Sequence, residues 1–279
     1  MKIKSLIRNL SFFKFLFNRW RRTGISYHKT LFVNLSAFNI KTALKFPIWI
    51  YQDTKIEHIG HIKINAPIES GMIRIGKRHF FRQSPTSIIN IGTMSFDGNC
   101  TILGGTTVHV LGENSILHFG KEVLIGENSK LLIGPKVEIG DYTRIAFGGL
   151  IMSADFHYVI NTNTGVVTRS LAPIKIGKFN WIGNNSIIKK GTITPDYCIV
   201  SNSSMLTKDY SDQPLYTLIC GIPGKVKGYG YRRIYNEKSD KELNDFFDGT
   251  YNISTKIPLV SQDPEYNWFC NEDIHIHKH

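Results

Sequence analysis

The 279-residue sequence has only four cysteines, Cys100, Cys198, Cys220 and Cys270, and they form no C-x-x-C pair. Neither a zinc site nor a disulfide framework is therefore expected to organise the chain, and the thiols read as reduced in a cytoplasmic protein. The apolar stretch near the N-terminus, Leu10 to Phe17, contains Ser11 and Lys14 and falls far short of the roughly 20 residues that a transmembrane helix needs. No small-residue cleavage site follows it, and Arg21 and Arg22 lie on its far side, which is a poor fit to a secretory signal. No serine or cysteine sits in a nucleophile motif. A net charge of +12 calls for anionic partners, but nucleic acid is disfavoured: basic residues interleaved with aromatics occur only in the N-terminal stretch.

What that stretch offers is a basic, aromatic helix over residues 1–24. Either Phe12, Phe13, Leu16 and Trp20 enter a membrane interface with Lys2, Lys4, Arg8 and Arg19 near lipid phosphates, or the same apolar residues dock on the protein itself.

The dominant pattern is a repeat of six. Ile133-Gly134, Ile139-Gly140, Ile145-Ala146 and Ile151-Met152 are spaced by six residues, and Ile176-Gly177, Ile182-Gly183 and Ile188-Lys189 resume the step. Phe119-Gly120 and Ile125-Gly126 precede them in similar form, and Thr194, Val200 and Leu206 continue the ladder. Neither a helical period nor simple alternation places an aliphatic residue at every sixth position; a hexapeptide β-helix does. Each hexapeptide makes a short flat strand and a corner, and three close a triangular coil whose aliphatic residue points inward onto its equivalent about 4.8 Å away. Gly and Asn, as in Gly126-Glu127-Asn128 and Gly183-Asn184-Asn185, suit corners that need positive φ.

The expected class is thus all-β: a left-handed parallel β-helix over residues 91–228, with looser first coils or an irregular β flank over 25–90. A C-terminal extension over 229–279 has a short helix from Asp240 to Asp248 and a flexible tail ending in His275, His277 and His279. Between Met152 and Ile174 the ladder is broken by SADFHYVINTNTGVVTRSLAP, a polar segment read as a loop thrown out from the coil, where function is expected.

Asp155-Phe156-His157, then Pro173 to Gly183, then Thr207-Lys208-Asp209, and finally Gly221-Ile222-Pro223-Gly224-Lys225-Val226 make an ordered set. It resembles the hexapeptide-repeat acetyltransferases, in the branch with maltose, galactoside and surface-polysaccharide O-acetyltransferases. The resemblance implies a homotrimer with active sites between subunits, acetyl-CoA as acyl donor, no metal, and a sugar or glycan acceptor. It implies direct transfer without an acyl-enzyme, with His157 as general base. Asp155 is the nearest acidic residue in sequence to fix the His157 tautomer. Trp181 precedes the inward Ile182 and so faces outward, beside CoA or in subunit packing. Asn184, Asn202 and Thr207 occupy positions that the resemblance assigns to the pantetheine arm, and Lys208 and Lys225 positions near the CoA phosphates. Two departures stand out, Thr194-Pro195 and Ser201-Asn202-Ser203, the latter at the groove where the pantetheine is expected. Two other readings remain open: a noncatalytic trimeric β-helix scaffold, and a metal-binding carbonic anhydrase relative that would need a third histidine beside His109 and His118.

Overall fold

The computed structural model describes residues 24–78, 84–234, 237–248 and 254. The chain divides into two compact units, residues 1–231 and 232–279. The expected N-terminal helix over 1–24 and most of the C-terminal tail, with Cys270 and the three terminal histidines, lie outside the described residues.

The first unit is a three-sided parallel β-helix, the fold class expected from the ladder. Its faces are sheets of nine, seven and five strands. The first runs from Ile48–Ile50 to Lys225–Gly228, the second from Thr54–His58 to Met205–Leu206, and the third from His61–Ile64 to Ile174–Ile176. In the late coils the rise is regular: Ile182 pairs with Val200 and Ile188 with Leu206, so that one turn takes up three hexapeptides. Ile125, Ile145, Ile182, Val200 and Ile219 stack inward on the first face, and Val108, Leu131, Ile151, Ile188 and Leu206 on the second, all essentially closed to solvent. Burying each such side chain contributes about 1.5–3 kcal/mol. The corners carry positive φ at Asn128, Asn185 and Ser203. At Gly177 a Cβ would come within 2.4 Å of the Pro195 carbonyl oxygen of the next coil, so only glycine lets the corners nest.

Of the two alternatives for residues 25–90, first coils are found from Ile48 onward, and ahead of them lie the helices Tyr27–Ala37 and Ile40–Ala43, which neither alternative included. The physical reason is the open end of the solenoid. Ile48–Ile50 is an edge strand whose free backbone groups need partners, and the first helix supplies them with side chains. Asn34 Nδ2 donates to the Ile48 carbonyl (2.8 Å) and Asn34 Oδ1 accepts from Ile48 N–H (3.2 Å), while Thr30 Oγ1 accepts from Ile50 N–H (3.0 Å). At the other end Lys225–Gly228 folds back antiparallel on Leu218–Cys220, and Tyr210 donates its hydroxyl to the Gly224 carbonyl at 2.9 Å.

The expected excursion between Met152 and Ile174 is a narrow hairpin. Antiparallel bridges join Ala154 to Leu171 and Ile160 to Val167. Its tip is turned by Asn161, whose Oδ1 accepts from the N–H groups of Asn163 and Thr164 at 3.0 and 3.2 Å. In the second unit Glu237–Asp248 is helical. Among the described residues no helix is long and apolar enough to cross a membrane.

Candidate active site

His157 lies on the outgoing arm of the hairpin, exposed to solvent. Its backbone N–H donates to the Asp155 carbonyl 2.5 Å away, across a tight turn at Phe156, whose φ is +53°. Among the described residues no hydrogen bond reaches the His157 ring, which leaves both ring nitrogens open to a ligand or to another chain.

Asp155 does not orient that ring. Its carboxylate is held instead by two lysines from the coil, Lys189 Nζ on Oδ1 at 2.6 Å and Lys190 Nζ on Oδ2 at 2.5 Å. Closeness in the chain made His157 the expected partner of Asp155. The fold brings the lysines, 34 and 35 residues away, onto the carboxylate first. Hydrogen bonding to Lys189, then to Lys190, holds the Asp155 carboxyl below its ordinary range. The group thus acts as a clamp that ties the hairpin root to the coil, together with the Asp155 N–H to Ser170 carbonyl bond (2.9 Å) and the Ala172 N–H to Ser153 carbonyl bond (3.2 Å).

A depressed folded-state pKa means that the clamp stabilises fully above the ordinary carboxylate value. Its contribution fades as the pH falls below that value and is gone once the pH has passed the lower, folded value. The clamp is therefore constant across neutral and mildly acidic pH. Asp155→Asn removes it, and amide exchange at Ala172 is expected to quicken about fivefold, the scale of two partly exposed ion pairs. Unchanged exchange would show that the backbone bonds alone hold the root.

Trp181 faces outward on the first face, 37% exposed, in register with Arg144 below and Ile199 above, as strand alternation requires. The other predicted contacts are distributed differently. Asn202 Oδ1 accepts from the Asn184 N–H at 2.8 Å, and the Asn202 side chain occupies the space that a Cβ on Gly183 would need. Asn202 braces the coil corner through Oδ1 while remaining exposed, and Asn184 offers its side chain but not its backbone N–H. Thr207, Lys208 and Lys225 are exposed, with Lys208 Nζ lying 5.2 Å over the Tyr210 ring. Of the departures, Thr194 Oγ1 accepts from Gly177 N–H at 3.0 Å and the Pro195 carbonyl accepts from Asn180 Nδ2 at 2.9 Å. Both serve the corner.

A second constellation was not foreseen from the sequence. On the third face Ser95 Oγ lies 2.8 Å from His118 Nδ1, and His118 Nε2 lies 3.0 Å from Asp97 Oδ2. Ser95, His118, Glu138 and Lys175 are successive outward partners across four strands. The last three of these border a cleft of about 330 Å³ that is also lined by Asp97, Asp141 and Lys178. The sequence signal was present: Ser95 and His118 are each flanked by inward residues, Met94 and Phe96, Leu117 and Phe119. His109 lies on a different face, 3.3 Å from Ser87 Oγ. Among the described residues no group of three or more His, Cys, Asp or Glu is placed to hold a metal ion.

No family model matches the chain, and no curated protein matches its sequence. Several solved structures share its outline. The polySia-specific acetyltransferase NeuO is 16% identical, with 73% of this chain and 98% of that chain covered and a TM-score of 0.39. AntD, an N-acyltransferase from Bacillus cereus in complex with dTDP and 3-hydroxybutyryl-CoA, is 17% identical, with 72% and 87% covered and a TM-score of 0.35. A maltose O-acetyltransferase from Clostridium difficile 630 is 17% identical, with 72% and 83% covered and a TM-score of 0.33.

Proposed function

We propose that this protein is a cytoplasmic acyl-CoA-dependent O-acyltransferase that moves an acetyl group from acetyl-CoA to a sugar hydroxyl of a surface glycan or its precursor. The observation that carries the reading is His157 held out from the coil on a clamped hairpin, with its ring open. In the proposed reaction the acceptor oxygen attacks the thioester carbonyl while His157 takes the hydroxyl proton. The tetrahedral intermediate then collapses, the C–S bond breaks, and the imidazolium returns the proton to the departing thiolate. Trp181 and the side chains of Asn184, Asn202, Thr207, Lys208 and Lys225 are the proposed donor contacts, the lysines as mobile charges for phosphate.

The hairpin argues for a second copy of the chain. Tyr158 is 74% exposed and Val159, Ile160, Val166 and Val167 are exposed beside it, an apolar surface that a monomer leaves in water. Seated on a neighbouring subunit of a homotrimer, the hairpin would carry His157 into a cleft between copies. A group of that neighbour would then orient the ring, since Asp155 is engaged.

One observation favours a second assignment of the base. His118 already has a carboxylate, Asp97, and a cleft beside it, the base-with-orienter arrangement that His157 lacks within one chain, although an acceptor would have to displace Ser95 from its Nδ1.

Calorimetric titration of the purified protein with acetyl-CoA tests the reading without the acceptor. Saturable binding in the micromolar to submillimolar range, weakened several-fold by Lys208→Ala, is the expected result. A folded protein with no affinity for acetyl-CoA would instead be the noncatalytic scaffold.

A further inference from the structure

The helix that closes the start of the solenoid is inside out. Its buried side carries Thr30, Val33 and Asn34, two of them polar and bonded to the edge strand. Its solvent side carries His28, Leu31, Phe32 and Leu35, the spacing of one continuous helical stripe. Phe32 is 60% exposed and Leu31 and Leu35 more than 40%. The next turn continues the apolar surface with Ile40, 70% exposed, and Leu44, and places Lys41 and Lys45 in solvent beside them. Soluble monomers scatter single exposed apolar residues, whereas five at one end of the fold mark a contact.

Charge selects the occupant. The first 52 residues contain ten lysines and arginines and no aspartate or glutamate; Asp53 is the first acid in the chain. They thus hold most of the net charge of +12. A second copy seated on this surface would bring an equally acid-free segment against it, and like charge opposes that contact. An anionic lipid surface offers both what the stripe lacks, an apolar layer, and what the lysines lack, negative charge.

We infer that the N-terminal end of the β-helix docks on an anionic membrane, with Leu31, Phe32, Leu35, Ile40 and Leu44 entering the interface and Lys41 and Lys45 lying at the phosphates. Lys29 takes no part, because its Nζ is turned inward onto the carbonyls of Gln52 and Thr54 at 2.7 and 2.6 Å. The axis of the solenoid then stands away from the bilayer, with the coils stacked outward from it. This inference is independent of the acyltransferase reading and does not fall with it.

The test is co-sedimentation of the full chain with two kinds of vesicle, phosphatidylcholine alone and equimolar phosphatidylcholine and phosphatidylglycerol. The protein is expected to bind the anionic vesicles and to be released by salt. The double variant Phe32→Ser and Leu35→Ser is expected to weaken that binding at least about tenfold, since two apolar side chains no longer leave water. Lys41→Glu with Lys45→Glu is expected to weaken it on anionic vesicles by a similar factor. Both pairs are surface substitutions, and an unchanged far-ultraviolet dichroism spectrum checks that the coil is intact. Anionic-vesicle binding by both variants equal to that of the parent protein would overturn the inference. So would a failure of the parent to bind either vesicle, and an oligomer that dissociates on Phe32→Ser and Leu35→Ser would then assign the face to a second copy.

Discussion

His157→Ala is expected to lower kcat for acetyl transfer about a thousandfold, within the range that positioned general bases supply. This corresponds to about 4 kcal/mol of transition-state stabilisation. Acetyl-CoA affinity by calorimetry should be unchanged, because an imidazole that acts only as the hydroxyl proton leaves contributes little to binding the donor. His118→Ala is the matched control. If the base is His157, loss of His118 removes contacts to Ser95 and Asp97 on the third face and changes kcat by only a small factor. If the base is His118, the two variants exchange their effects, and Asp97→Asn then follows His118→Ala. Release of CoA thiol followed against a panel of sugar acceptors measures both. Equal, modest losses from both histidines would remove each from the chemistry.

Asp155 separates catalysis from support in the same assay. Its carboxylate touches Lys189 and Lys190, so Asp155→Asn should affect the placement of His157 and not the proton transfer itself. A fall in kcat much smaller than that of His157→Ala, accompanied by faster exchange at Ala172, is the pattern of a positioning residue.

How far the sequence foretold this arrangement depended on whether a residue's neighbours lie at a fixed spacing. From Ile133 to Leu206, the hairpin apart, inward positions recur at the hexapeptide step, and the stacked partners of the late coils, Ile182 with Val200 and Ile188 with Leu206, lie three hexapeptides apart. Periodicity alone therefore located the core and turned Trp181 outward. Before Ile133 the coils vary in length. Ile88 pairs with Val108 and Val108 with Leu131, two unequal steps, neither of them a whole number of hexapeptides. Unequal corners erase the ladder there without altering the fold. The capping helix was hidden for another reason. Leu31, Phe32 and Leu35 suggest a buried stripe, yet Thr30, Val33 and Asn34 are the buried residues, two of them polar because an open strand edge needs hydrogen bonds. The site shows the same division. The hairpin bearing His157 was legible as a break in the ladder, whereas the Asp155 clamp and the Ser95–His118–Asp97 cluster depend on residues stacked from different coils. No local pattern reports such pairs.

A large stability effect from one polar side chain is expected at that strand edge. Asn34→Leu nearly conserves volume, so little cavity is made, but it removes the acceptor of the Ile48 N–H and a donor to the Ile48 carbonyl. Asn34 is fully buried, and water cannot replace the lost partners without opening the end of the coil. Two unsatisfied backbone groups at about 1–3 kcal/mol each give an expected loss of about 3 kcal/mol in urea unfolding. Thr30→Val, which removes the hydroxyl bonded at Ile50, should cost about half as much. Because a solenoid is held by contacts between adjacent coils, the damage should also be local. Amide exchange at Ile48 and Ile50 should accelerate strongly, while Ile182 and Val200, in the late coils, keep their protection. The freed Ile48–Ile50 edge then becomes a template for strand pairing between molecules, and Asn34→Leu should self-associate where Thr30→Val does not. Uniform loss of protection along every coil would mean that the helix supports the whole solenoid rather than closing its end.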